Sequence, residues 1–228
     1  ITVSKYTKKE LVRYFEIPSE KIVVTYEACD GNQQPQVTSQ EILKRFKITK
    51  SYLLYIGNAY PHKNLEGLLK SFKKLLKEYK LNLQLVLVGK EDYFFKRLKE
   101  KVEKLNLKPQ VIFPGFVSDE ELQVLYKSAL LYVFPSFCEG FGLPPLEAQA
   151  QGLPVVSSNS SSLPEILEDT VEYFDPHSID EMTKVIAKIA KDKNLQNKLR
   201  EKGLEHVKKF SWEKCARETL DVYNEAVK

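Results

Sequence analysis

The sequence predicts an α/β fold, a doubly wound parallel sheet with an all-helical C-terminal end. Three observations predict it. Short apolar runs rich in β-branched and aromatic residues recur along the chain, each followed by a loop and then an amphipathic run, which is the pattern of consecutive strand–helix units. Strands separated by helices pair parallel, and a parallel sheet needs both faces covered by those helices. After Asp175 the alternation stops, and three helical periods follow with no strand between them.

The opening, ITVSKYTKKELVRYFEI, predicts a short strand, a Ser-Lys-Tyr-Thr turn in which Thr7 caps, and a helix to about Phe15. Lys21 to Tyr26, KIVVTY, is a strand candidate, and the polar CDGNQQPQVTSQ, with Gly31 and Pro35, reads as a loop or linker. Five strand candidates follow: Tyr52 to Gly57, Gln84 to Gly89, Val111 to Phe113, Leu131 to Phe134 and Pro154 to Ser157. Helices are expected at about Asn64 to Tyr79, Tyr93 to Leu105, Asp119 to Ser128, Pro144 to Gln151 and Ser162 to Leu167. The terminal helices span Ile179 to Ala190, Leu195 to Lys208 and Trp212 to Val227. In the last, Trp212, Cys215, Ala216, Leu220 and Tyr223 form an apolar stripe that reads as amphipathic packing.

Composition narrows the function classes. A chain of 228 residues suits one large domain or one domain plus part of another, and 43% hydrophobic with 29% charged residues supplies a full core. The 35 basic and 31 acidic residues leave a net charge of +4 spread over mixed-sign helices, which does not imply nucleic acid. No apolar run approaches the roughly 18 residues of a membrane span, and no signal-peptide layout opens the chain, so it reads as cytoplasmic. Cys29, Cys138 and Cys215 have neither disulfide nor metal-ligand spacing. Lys70 to Lys80, KSFKKLLKEYK, reads first as a solvated helix face and second as a basic stretch for peripheral contact with anionic lipid.

The chemistry concentrates in PSFCEGFGLPPLEAQAQGLPVV. Glu139 and Glu147 flank Gly140, Phe141 and Gly142, and Leu143, Pro144 and Pro145 open the next helix, where a missing proline N–H costs nothing. Helix N-termini present unpaired amides and a partial positive charge, so an anion fits against the amides of Gly140, Phe141 and Gly142. A carboxylate accepts two hydrogen bonds from a vicinal diol, so the pair points to a phosphorylated sugar or a nucleotide. The plainer alternative is that both glutamates merely favour the helix N-terminus by charge.

A second strand–glycine–helix junction, YIGNAYPHKN, holds Gly57, Asn58, His62, Lys63 and Asn64. Asn64 is placed to cap the following helix, and Lys63 is a mobile cation for a phosphate. Loops at the C-terminal strand ends of a doubly wound sheet line one crevice, so this junction and the Gly140 loop are expected to converge. The serines of SSNSSSLPEI read first as caps and turns, though their hydroxyls lie near the same strand edge. There is no third glycine for a dinucleotide fingerprint, no Gly-Lys-Ser/Thr phosphate loop and no Asp-x-Asp pair. His62, His177 and His206 share no ligand spacing with the cysteines, so neither metal nor cofactor is expected.

These motifs resemble the C-terminal, donor-binding domain of retaining GT-B glycosyltransferases of family 4, or group 1. The E-x7-E of Glu139 and Glu147 carries the resemblance, with YIGNAYPHKN, LVLVGK, FPGFVSDEELQVLYKSA and SSLPEI in family order. The resemblance implies a Rossmann-like nucleotide-sugar-binding domain over residues 37–228, preceded by residues 1–36 as the end of an N-terminal domain and linker. The last helix resembles one that crosses back onto that N-terminal domain. Glu139 would contact the donor sugar and Lys63 would neutralise the leaving diphosphate as the catalytic pair. Glu147 would bind the ribose hydroxyls, and the amides of Phe141 and Gly142 would face the sugar and diphosphate. The backbone around Val117 would lie beside the base, with Gly57, Asn58, His62, Gly140 and Leu143 completing the binding set. Asn58 and His62 depart from the arginines that many relatives carry there. The implied function is binding of a nucleotide diphosphate sugar, GDP-mannose being favoured, for transfer with retention to a sugar or lipid-linked acceptor held by the other domain. The alternative is a nucleotide-sugar-binding regulatory module without transferase activity.

Overall fold

Residues 1–29 and 38–227 are described by a computed structural model. Six short strands pair as one parallel sheet in the order β3-β2-β1-β4-β5-β6, with β1 Tyr52–Ile56, β2 Gln84–Val88, β3 Val111–Gly115, β4 Leu131–Phe134, β5 Val155–Ser158 and β6 Glu172–Phe174. Leu53, Leu54, Leu85, Val86, Leu131, Tyr132 and Val133 are all fully buried, as strands covered on both faces must be. The chain steps from β1 to β2 to β3, then crosses back to β4 on the other side of β1, where Leu53 faces Leu131 and Leu54 faces Tyr132. That reversal puts a topological switch point between β1 and β4, the place where open α/β sheets bind their ligands.

The crossovers are helical: α3 Leu65–Lys77, α4 Tyr93–Lys104, α5 Asp119–Ser128, α6 Leu143–Ala150 and α7 Leu163–Leu167, with α8 Ile179–Lys191, α9 Lys193–His206 and α10 Trp212–Ala226 after the sheet. Ahead of it lie α1 Lys5–Phe15 and α2 Ser39–Arg45. Helix α5 starts on a capping box: the Ser118 hydroxyl accepts from the Glu121 amide at 3.3 Å while the Glu121 carboxylate accepts from the Ser118 amide at 2.9 Å. Leu68, Leu69, Phe72 and Leu75 of α3 are fully buried in the core, Leu76 and Tyr79 are half-buried, and the lysines of that stretch lie at the solvated edge.

Several expectations need correction. KIVVTY does not form a full strand; it contributes one parallel bridge, Thr2 to Val24, since no further strand among the described residues pairs beside it. Ser4, not Thr7, caps α1, its hydroxyl accepting from the Thr7 amide at 3.0 Å. The expected linker ends earlier than its composition suggests, since α2 begins at Ser39, while the boundary between residues 36 and 37 lies outside the described residues. Strand β6, three residues with a glutamate and a tyrosine, carried too little apolar signal to be read. The stripe on α10 is not packed within this chain: no residue of α10 is buried, and Trp212, Leu220 and Tyr223 are 47%, 56% and 61% exposed, which goes against amphipathic packing here and does not bear on the reading of a helix that crosses onto another domain.

Candidate functional site

The loop after β1, residues 57–64, and the loop after β4, residues 135–142, meet at the switch point. The Phe137 amide donates to the His62 carbonyl at 2.7 Å, joining them directly. Asn64 is a second tie. It sits at the N-cap of α3 in the left-handed region, φ 55°, yet its side chain makes no capping bond. Its amide nitrogen instead donates to the carbonyls of Pro135 at 3.1 Å and Pro176 at 2.9 Å, so it cross-links three loops in place of the capping expected of it. Gly67 makes room for this, since a β-carbon there would fall 2.3 Å from Asn64 Oδ1.

Across this junction Lys63 Nζ lies 2.7 Å from Glu139 Oε1, with the two side chains only 15% and 12% exposed. The ammonium also lies 5.6 Å above the ring of Phe134. A pair this shielded interacts more strongly than one on the open surface, and either partner left alone is an uncompensated charge.

The Gly140 loop is held by hydroxyls. Ser161 Oγ accepts from the Glu139 amide at 2.8 Å, and the Ser162 hydroxyl lies 3.0 and 2.9 Å from the carbonyls of Glu139 and Phe141. Ser4 and Thr7 place their hydroxyls 2.6 and 3.2 Å from the Gly140 carbonyl. With these carbonyls turned into the protein, the amides of Gly140, Phe141 and Gly142 find no acceptor among the described residues. Gly142 is the N-cap of α6 at φ 112°, and a β-carbon there would come 2.8 Å from Leu163 Cδ2, so the tight entry into the helix requires glycine. The result is a short arc of free amides at a helix N-terminus, next to a lysine, which suits an anionic group with several oxygens.

Glu147 stands apart from that pair. Its Oε2 accepts from the Tyr126 hydroxyl at 2.9 Å, and it contacts neither Lys63 nor Glu139. Burial first, then the Tyr132 hydroxyl and the Glu147 charge, hold the Tyr126 phenol well above its ordinary range, so it stays a donor. Leu143 is the half-buried first residue of α6. Gly57 and Asn58 begin the β1 loop, where Tyr55 donates to the Asn58 carbonyl at 2.8 Å. His62 is exposed, its ring 6.1 Å from that of Tyr60 and its side chain without a hydrogen bond to any described residue. Val117, after β3 and two strands from β1, is 9% exposed and belongs to the hydrophobic core. Among the described residues no group of three or more His, Cys, Asp or Glu could hold a metal ion.

Sequence reasoning missed Tyr126 and Glu165. The Glu165 carboxylate accepts from the amides of Lys5 and Tyr6 at 2.8 and 2.9 Å and from the Tyr26 hydroxyl at 2.8 Å, clamping the start of α1 beside the Gly140 loop. Both residues stand inside stretches already singled out, YKSA and SSLPEI, but only the fold supplies their partners.

A family model described as glycosyl transferases group 1 matches residues 39–206. The chain belongs to that family. O-antigen chain mannosyltransferase B of Escherichia coli is 35% identical over 226 residues, an alignment covering 98% of this chain and 59% of that relative. The chain thus spans about three fifths of the length of this curated relative. Among solved structures, a glycosyltransferase from Rickettsia africae superposes with a TM-score of 0.86 at 22% identity, covering 99% of this chain and 62% of its own. The Anabaena protein Alr3699/HepE, solved with UDP and glucose, superposes at 0.82 and 16% identity, covering 98% and 62%. This group 1 chain therefore has the Rossmann-like sheet and helical end found in GT-B glycosyltransferases. No described helix is long and apolar enough to cross a membrane.

Proposed function

We propose that this chain is the donor-binding part of a retaining glycosyltransferase, and that its donor is GDP-mannose. The observation that carries the reading is the Lys63–Glu139 pair, 2.7 Å across the switch point beside three free amides. Lys63 is the one lysine or arginine in residues 57–64, so a diphosphate arriving there competes with Glu139 for a single ammonium. Once Lys63 turns to the diphosphate, the Glu139 carboxylate is released to accept from sugar hydroxyls. The amides of Phe141 and Gly142 then stabilise charge on the diphosphate as the glycosidic bond breaks. Glu147 takes the ribose, and the backbone at Val117 the base, with Gly57, Asn58, His62, Gly140 and Leu143 lining the path between.

The mannosyltransferase relative supports mannose as the sugar, and the UDP and glucose held by the Anabaena neighbour support a nucleotide donor in this fold. In the proposed enzyme a further domain holds a sugar or lipid-linked acceptor, and the sugar is transferred with retention. The setting is cytoplasmic, and since most of the apolar face of α3 is in the core, any contact of that helix with a membrane surface is mainly by the charge of its lysines. Calorimetric titration with GDP, UDP and ADP, then with GDP-mannose, tests the reading. GDP should bind most tightly and Lys63→Ala should weaken it at least about tenfold; binding of none of the three overturns the reading.

A further inference from the structure

Four tyrosines of the sheet and of α5 are buried, and three of them donate to backbone carbonyls: Tyr52 to Leu125 at 2.7 Å, Tyr55 to Asn58 at 2.8 Å and Tyr132 to Ile56 at 3.2 Å. Tyr126, 3% exposed, differs in donating to a side-chain carboxylate, Glu147, that is itself partly open to solvent. We propose that Tyr126 is a positioning residue that orients Glu147 and thereby sets the preference of this site for ribose over 2′-deoxyribose in the bound nucleotide. The inference rests on the donor-binding reading above and names what makes that site selective.

The geometry carries it in three steps. A free glutamate rotates about its terminal torsions, and a single hydrogen bond at 2.9 Å to a rigid donor removes that freedom. Tyr126 is rigid: the α5 capping box fixes its helix, and its ring packs 5.9 Å from that of Tyr132, which lies 6.1 Å from Phe134, which in turn lies 6.4 Å from Tyr55. The same aromatic row therefore sets Glu147 at one end and, through Tyr55 and Tyr132, the carbonyls on both sides of Gly57 at the other.

With the phenol held neutral, its proton points at Oε2, while Oε1 accepts from no described residue. A carboxylate has about four lone-pair sites, so one site on Oε2 and those on Oε1 remain for the two hydroxyls of a ribose. A site built to meet both hydroxyls rejects an analogue lacking one, because a desolvated acceptor is then left unpaired. If the carboxylate is free to turn to water, that penalty disappears and the selectivity falls with it.

The experiment is calorimetric titration of the chain and its Tyr126→Phe variant with GDP, UDP and ADP, each against its 2′-deoxy form, and with inorganic pyrophosphate. The unaltered chain should prefer the ribose form of its nucleotide by about tenfold or more. Y126F should lose most of that preference while keeping its pyrophosphate affinity. Tyr52→Phe removes a buried hydroxyl that touches neither Glu147 nor the loop after β1 and should keep the preference; a thermal melt establishes that both variants fold. An unchanged ribose preference in Y126F overturns the inference, as does an equal loss for ribose, deoxyribose and pyrophosphate. Nucleotide binding by the unaltered chain with no ribose preference sinks the inference alone, whereas no binding of any nucleotide sinks the donor reading as well.

Discussion

Glu139 and Glu147 sit eight positions apart on one loop–helix unit, and their surroundings differ in kind. Glu139 lies in a loop and faces a flexible ammonium from the other half of the sheet, whereas Glu147 lies in the second turn of α6 and faces a rigid, neutral phenol. An ion pair between loops can exchange partners when a better anion arrives. A carboxylate held by a buried tyrosine keeps its place. The comparison teaches that one short motif can set one carboxylate against a charge and the other against a neutral donor, with the partner deciding the surroundings of each.

The change with the largest expected effect removes the turn that presents both glutamates. Gly142→Ala puts an L side chain at φ 112° with its β-carbon 2.8 Å from Leu163 Cδ2. Urea unfolding should show a loss of about 2–4 kcal/mol, from strain and overpacking together, and an unaffected midpoint would mean the loop is not under this constraint.

Lys63→Ala sharpens the comparison from the displaceable side. Affinity for inorganic pyrophosphate should drop at least about tenfold, and the remaining affinity should depend less on salt than that of the unaltered chain. If Glu147 keeps to its own part of the ligand, Glu147→Ala should weaken GDP by roughly tenfold while leaving pyrophosphate as it was. Equal losses for both ligands in either variant would merge the two glutamates into one functional group.

Smaller effects concern the clamp behind the loop. Glu165→Ala removes the acceptor of two α1 amides and of Tyr26 and should cost about 1–2 kcal/mol by chemical denaturation. Burial first, and then the hydrogen bond and charge of Glu165, push the Tyr26 phenol up to about 12. A phenol whose folded value is raised contributes stability that is complete below its unfolded value, near 10, and is lost as the pH rises through about 12. Stability should therefore fall between those two values, and the fall should shrink in Glu165→Gln. A Tyr26 absorbance titration with an ordinary midpoint in the unaltered chain would contradict this.

Much of the fold was legible because strand and helix periods are local. The runs at β1, β2 and β4 needed no partner to be read, and β4 and α5 fall at their expected bounds. Where the signal was short or polar it failed: β6 has three residues, and KIVVTY has the composition of a strand without a neighbour to pair with beyond Thr2. Asn64 shows the same limit in the site. Its type and position announce a cap, but its side chain is drawn to Pro135 and Pro176, carbonyls that reach it only through the crossover.

By itself the sequence determined the alternation that makes a parallel sheet, the Gly-Phe-Gly entry into a helix, the two carboxylates around it and the lysine of the other loop, because each is a property of neighbouring residues. Tertiary structure alone decided that Lys63 meets Glu139, that Tyr126 takes Glu147 and that Glu165 takes the start of α1, partners 76, 21 and 160 positions apart. Such pairings follow from the order in which strands join the sheet, and that order is set by packing over the whole core, which no window of sequence contains.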